Sequence, residues 1–245
     1  MKARDPVLLI VILVAAWQLL HLAVGDIALR SPARTLQGMI AMLGDARFRP
    51  HVVETLLAFA QGFAIAIAVG LFVGVSLGAS RLAGEVAEPI LVALYSIPKV
   101  TLYPVILLIF GIGMPAKVAF GAIHGIVPIA IFAMNAIRAI SPVHLRTARV
   151  LRLSPLAAAR KILMPAALPE IVTGIRVGFS LTLIGTLIGE MFGAQHGLGH
   201  LLMQAMSLHN MDRIMALTLL LVIFAASVNA GLLALDRRLH PRVQD

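Results

Sequence analysis

The sequence predicts an all-α polytopic membrane protein with six transmembrane helices and a two-helix cytoplasmic loop. Three observations carry this. Apolar runs near the roughly 20 residues that cross a bilayer recur along the chain. Charged residues make up only 13% of the 245, and mean hydropathy is +0.98, too little charge to cover a soluble domain. One stretch near residue 150 is too basic to cross a membrane and is broken by prolines.

The elements follow in order. Residues 7–24 form the first span; their apolar part is longer than a signal-peptide core and no small-x-small cleavage site follows. Residues 52–78 form the second, with Gly70, Gly74 and Gly78 on one helical stripe that lets another helix approach closely. Residues 90–112 form the third, interrupted by Pro98 and Pro104. Residues 116–137 form the fourth. Pro98, Pro104 and Pro128 free backbone groups that lipid cannot satisfy, so these spans should line the interior. Residues 168–192 form the fifth, with Gly174, Gly178, Gly185 and Gly189 as further seams, and residues 214–235 the sixth. No soluble linker interrupts them, so residues 1–245 read as a single transmembrane domain.

Lys and Arg set the orientation. With the N-terminus inside, Lys2, Arg4, Arg81, the six basic residues from Arg138 to Lys161, Arg237, Arg238 and Arg242 are cytoplasmic. Arg30, Arg34, Arg47, Arg49, Lys117 and Arg213 stay outside, twelve against six, with Lys99 and Arg176 inside spans. Both termini therefore belong in the cytoplasm of a cell inner (plasma) membrane protein. The net charge of +9 reflects this retention rather than nucleic-acid binding, since no soluble basic domain is present. The four arginines of the first outer loop have no explanation in the sequence.

The basic stretch has its own logic. Ser141-Pro142 and Ser154-Pro155 each pair an N-cap with a proline suited to a first helical turn. Two short helices are expected, about 142–153 and 155–163, the second stopped before Pro165. Arg146, Arg149 and Arg152 share one side of the first, and Leu156, Ala159 and Leu163 one face of the second. Such a pair lies at the cytoplasmic surface, against lipid headgroups or a protein partner.

The wording of this stretch favours a protein partner. LRTARVLRLSPLAAARKILMPAALPEI, residues 145–171, resembles the cytoplasmic coupling loop of binding-protein-dependent ABC importer permeases. That motif reads Glu-Ala-Ala, three residues, Gly, then about a dozen residues to a Leu-Pro or similar ending. Arg146-Thr147-Ala148, Arg152 and Met164-Pro165 stand in the corresponding places. Arg146 replaces the usual acid and Arg152 the usual Gly. The Gly is taken as room for close approach, so an Arg there should reach outward. YSIPKVTLYPVILLIFGIGMPAKVAFGAIHGIVPI (95–129) and GEMFGAQHGLGHLL (189–202) are similar to the nitrate, sulfonate and taurine branch, and the likeness covers about residues 49–238.

The resemblance implies a second permease subunit forming a homodimer, two ATPase subunits and an extracytoplasmic solute-binding protein. It implies ATPase coupling through the loop at about 138–165, by Arg146, Thr147, Ala148, Arg149, Arg152, Leu156, Met164 and Pro165. The solute would be a small anion or polar molecule: nitrate, a sulfonate, taurine, bicarbonate or a vitamin precursor. ATP and Mg would bind the partner ATPase; this chain has no Gly-x-x-x-x-Gly-Lys-Ser/Thr loop, no nucleophile–base pair and no expected cofactor or metal.

Four polar residues are candidates for the translocation pathway. Glu190 lies near the outer end of the fifth span, where an ionisable group is costly unless wet or paired. Its other reading is an interfacial residue held by backbone donors near Gly193. His124 lies mid-span in the fourth helix, and Asn135 and Thr182 are polar groups that can equally bond between helices. His196 and His200 are spaced for a metal on a helix, but Gly197 and Gly199 make that segment turn-like.

Two other functional readings stay open. An ion-gradient-driven secondary transporter lacks support from any acidic pair at mid-membrane or any inverted repeat. A non-transporting membrane scaffold draws support from the Arg146 and Arg152 departures, which could mark a lost motor contact.

Overall fold

Three long helices meet backbone to backbone, and glycines and alanines set how closely. The computed structural model describes residues 4–239; Lys2 and Arg242, counted in the charge bias, lie outside the described residues. In chain order the helices are α1 (Arg4–Ala28), α2 (Pro32–Gly44), α3 (Arg49–Gly78), α4 (Arg81–Ser96) and α5 (Tyr103–Phe110). There follow α6 (Met114–Arg138), α7 (Pro142–Val150), α8 (Pro155–Ala158), α9 (Met164–Gly193), α10 (Leu198–Ser207) and α11 (Met211–Leu239). Among the described residues five helices are long and apolar enough to cross a membrane, and α4 with the following Lys99–Phe110 segment makes a sixth if that bent pair is one span.

The centre is α6, packed between α3 and α9. A Cβ at Gly70 would lie 2.8 Å from Ile129 Cβ, and one at Gly78 2.8 Å from the Met134 carbonyl. At Gly74 it would strike the Ala130 carbonyl. The facing side of α9 repeats the device: a Cβ at Gly185 would lie 2.7 Å from His124 Nδ1, and one at Gly189 3.2 Å from Lys117 Cα. Apolar burial has no drive against lipid, so van der Waals contact at this range holds the spans together. Phe59, Phe63 and Phe179 fill the next layer out, with Phe59 and Phe179 edge to face at 5.1 Å.

The third span differs from a simple interrupted helix. The chain turns by 81° between α4 and Lys99–Phe110, because Pro98 has no N–H to continue the ladder and pushes Ile97 into extended geometry (φ −62°, ψ 130°). Tyr103 and Ile106 then dock the second half on Ala116 and Phe120 of α6.

Two helices were not foreseen. α2 starts at Ser31, whose Oγ accepts from the Arg34 N–H, with Pro32 in the first turn. Its buried Thr35 and Met39 mark the packed face, and a Cβ at Gly38 would lie 3.6 Å from Ala216 Cβ of α11. This also accounts for two of the outer-loop arginines. Arg30 Nε and Arg34 Nε lie 2.7 and 3.1 Å from Asp212 Oδ1, at the start of α11. An acid in that first turn also suits the helix dipole. α10 is the second, a short helix after the outer end of α9, packed through Leu198 and Leu201 on Phe48 and Leu217.

The seam yields a prediction. Gly74→Val places atoms where the α6 backbone lies and should lower stability by about 1–3 kcal/mol or more. Gly44→Ala, with nothing within 4 Å of the added Cβ, should be near neutral. Thermal unfolding of the purified protein in detergent compares them; equal melting temperatures would mean the seam is loose.

Candidate functional site

The basic loop is built by two serine caps and one strained turn. Ser141 Oγ accepts from the Val143 N–H at 3.3 Å and opens α7. α7 closes with the Arg152 N–H on the Arg149 carbonyl (3.0 Å) and the Leu153 N–H on the Ala148 carbonyl (3.1 Å). This paired closure requires a left-handed residue just past the helix, normally Gly. Arg152 fills that place with φ +47°. The Gly of the resembled motif is thus replaced at a position that needs backbone freedom.

The expected helix stop at Pro165 is corrected. Ser154 Oγ accepts from the Ala157 N–H at 3.3 Å and opens α8, but the helix does not stop before Pro165. It widens over Ala159–Leu163 into a π turn, in which the Met164 N–H reaches back to the Ala159 carbonyl. The wider turn spares the Pro165 ring its clash with the preceding turn's carbonyl. The helix then runs unbroken, so Leu156–Gly193 is one 38-residue rod. Leu163 is only partly exposed, while Leu156 (78%) and Met164 (62%) are open.

Arg146, Arg149, Arg152, Arg160 and Lys161 are all exposed, and no described ion pair includes them. Val150 and Leu151 are exposed among them. Ala148 is buried, and Thr147 turns its hydroxyl back to the Val143 carbonyl at 3.0 Å. The loop thus presents cations and apolar side chains together, with no acid between residues 142 and 169.

At the opposite end of α9 a buried polar clamp holds α10. Glu190 is wholly buried; Thr55 Oγ1 donates to its carboxylate at 2.8–2.9 Å, and the Gly199 N–H donates at 2.9 Å. Thr55 Oγ1 in turn accepts from the Leu198 N–H at 2.8 Å. Lys117 is also buried. Its Nζ lies 2.9 Å from Glu54, 3.1 Å from the His196 carbonyl and 3.8 Å from Glu190. Lys117 was expected in an outer loop; it is instead buried in the fold, with its ammonium drawn to the acids of α3 and α9. The Gly197 N–H donates to His51 Nδ1 at 3.1 Å, gathering the rings of His51, His196 and His200.

Of the four polar candidates, two reach the surface of the chain. His124 and Asn135 are partly exposed, whereas Glu190 and Thr182 are buried in this conformation. The backbone donor that holds Glu190 is the Gly199 N–H rather than one near Gly193. Thr55, Glu54 and Lys117 were missed. A His51-x-x-Glu54-Thr55 cluster at the start of a span was the available signal.

Residues 66–245 match the family described as binding-protein-dependent transport system inner membrane component. The chain belongs to that family. Within it, this permease is 34% identical over 207 residues to the riboflavin transport system permease protein RibX of Chloroflexus aurantiacus, covering 84% of this chain and 77% of that one. It is 27% identical over 239 residues to the taurine transport system permease protein TauC of Escherichia coli, covering 95% and 87%. The MetNI methionine ABC transporter, in an inward-facing conformation, matches with TM-score 0.60 at 23% identity over 84% of this chain and 95% of that one, which supports the fold. The permease is a transport subunit of an ABC importer with a multi-span membrane fold.

Two outcomes follow. Glu190→Ala strips the acceptor from Thr55 and Gly199 and leaves Lys117 with less compensation, which should cost about 3–5 kcal/mol; Glu190→Gln, which keeps an acceptor, should cost less. Thermal unfolding ranks them, and a wild-type melting temperature for Glu190→Ala would remove the clamp. Arg152→Gly should raise stability by about 1–2 kcal/mol by relieving the left-handed turn. Amide exchange at Leu153 should slow, and faster exchange would mean the turn carries no strain.

Proposed function

We propose that this permease works as a homodimer with two ATPase subunits beneath it and an extracytoplasmic solute-binding protein above, importing a small anionic or polar solute. The solute classes are nitrate, sulfonate, taurine, bicarbonate or a vitamin precursor. TauC and RibX, relatives named for taurine and riboflavin, support that range. ATP and Mg bind on the partner. The Lys and Arg bias supports an inner-membrane location with both termini cytoplasmic.

The observation that carries the proposal is the loop at 138–165. α7 is a short capped helix with exposed cations and apolar residues, and α8 joins α9 without a break. A push on this loop is therefore a push on a rod that crosses the membrane beside α6. Arg146, Arg149, Arg152, Leu156, Met164 and Pro165 form the coupling surface and its base, while Thr147 and Ala148 fix the shape of α7. Closure of an ATPase pair below would move the rods and switch the access of the passage between them, a population shift driven by a partner chain. Of the pathway candidates, His124 and Asn135 can meet solute directly; Glu190 and Thr182 act from within the fold.

The loop carries cations where the family motif carries an acid, so the ATPase groove should supply acids. Arg146→Glu should cut co-purification of the ATPase and solute-stimulated ATP hydrolysis, losing about 2–5 kcal/mol of assembly, while membrane insertion is unchanged. A loop resting on lipid would lose only about 1 kcal/mol per charge. Arg237→Glu in the last helix is the control. Equal effects from both reversals, or from neither, would sink the coupling assignment.

A further inference from the structure

One cation lies inside a span where the helices leave it open. At the 81° break after α4, polar side chains crowd the backbone: Ser96 Oγ donates to the Val92 carbonyl (3.0 Å), and Thr101 Oγ1 to the Pro98 carbonyl (2.8 Å). Between them Lys99 Nζ donates to the Tyr95 carbonyl at 3.0 Å and lies 5.2 Å from the centre of the Tyr95 ring. An ammonium has three N–H donors, and the Tyr95 carbonyl takes one. No ion pair among the described residues includes Lys99.

The depth of this cation follows from its neighbour. The Lys99–Phe110 segment packs through Tyr103 on Phe120 of α6, ring centres 4.9 Å apart, and Phe120 meets His124 at 4.6 Å, near the middle of the 25-residue α6. Apolar stretches flank the break on both sides, 90–94 and 105–112. Tyr95, Ser96, Ile97 and Thr101 are exposed on the single chain and Lys99 is half-buried. Open backbone and an unpaired cation at mid-membrane are not stable against lipid; they persist where they meet protein or line water. His124 Nδ1 lies 2.8 Å from the Phe120 carbonyl. A carbonyl only accepts, so Nδ1 carries the proton and Nε2 remains for other partners.

We infer that Lys99, with Thr101 beside it at the break, forms an anion-binding station in the translocation passage, taking the sulfonate, carboxylate or bicarbonate group of the solute. The inference rests on the transport reading above and narrows its solute to one bearing an anionic group. The ammonium offers two N–H donors to the anion, and no carboxylate competes for them. The hold is weak by construction. A single charge already shared with a carbonyl binds well enough to admit an anion and loosely enough to release it.

The chain has no cysteine, so Lys99→Cys gives a single thiol for chemical tests. The full complex of permease, ATPase and binding protein is reconstituted in liposomes and treated with three methanethiosulfonates: anionic sulfonatoethyl, cationic aminoethyl and neutral methyl. Leu108→Cys on α5, 87% exposed among apolar neighbours, is the lipid-facing control. The anionic reagent should modify Lys99→Cys from water and leave Leu108→Cys untouched. Uptake of labelled methanesulfonate, bicarbonate or taurine by Lys99→Cys should fall about tenfold or more, the loss of one charge-assisted contact. The aminoethyl reagent, which restores a cation, should recover it; the methyl reagent should not.

No reaction with the anionic reagent overturns the station. So does a disulfide joining two Lys99→Cys chains that shields both thiols, which would make the break a contact between copies. Equal rescue by the methyl reagent overturns it as well. If the unaltered complex carries none of the three probes, the transport reading fails on its own, and the labelling still decides which way Lys99 faces.

Discussion

The approach of α3 and α9 to α6 is the constraint on which the rest of this structure depends. In lipid no hydrophobic force presses helices together, so the spans hold only where backbones can come close. Gly70, Gly74 and Gly78 on one side of α6, and Gly174, Gly178, Gly185 and Gly189 on the other, provide that. The result is a rigid three-helix slab. α1 lies outside it with its apolar surface open, and α11 is buried only in part.

A rigid slab makes its two ends mechanically equivalent. At the end that carries the basic loop the π turn lets the helix continue through Pro165, so α8 and the span form one rod. At the other end the Glu190 carboxylate and Thr55 tie the Gly197–Gly199 turn, and hence α10, to α3 and α9. Buried ions of this kind gain little net stability but penalise any arrangement that breaks them. The clamp therefore fixes the Thr55 end of α3 and the Glu190 end of α9 in register.

The broken third span stands apart from this slab. Tyr103, Ile106 and Leu107 anchor its second half to α6, and Ser96 and Thr101 at its break are exposed. A transporter needs such a region. Solute cannot pass through close-packed glycine seams, so irregular backbone and polar groups must collect where a passage runs.

The sequence by itself determined the helical class, the spans, the glycine seams and the serine-capped basic loop. Each is written in local periodicity, cap chemistry or composition, which need no knowledge of the other end of the chain. The likeness to importer permeases was legible for a similar reason, because its motifs are contiguous. Only the tertiary structure decided that Lys117 faces inward to Glu54 and Glu190, residues 63 and 73 positions away, since no period relates them. It alone showed that Arg30 and Arg34 serve Asp212. It also decided how two local signals act. Pro165 carries a helix stop in its ring, and Arg152 stands just past a helix end where Gly is usual. Yet a π turn absorbs the first, and the left-handed backbone at the second is fixed by hydrogen bonds to Ala148 and Arg149. A residue type states what it prefers; which preference prevails depends on the neighbours that packing supplies.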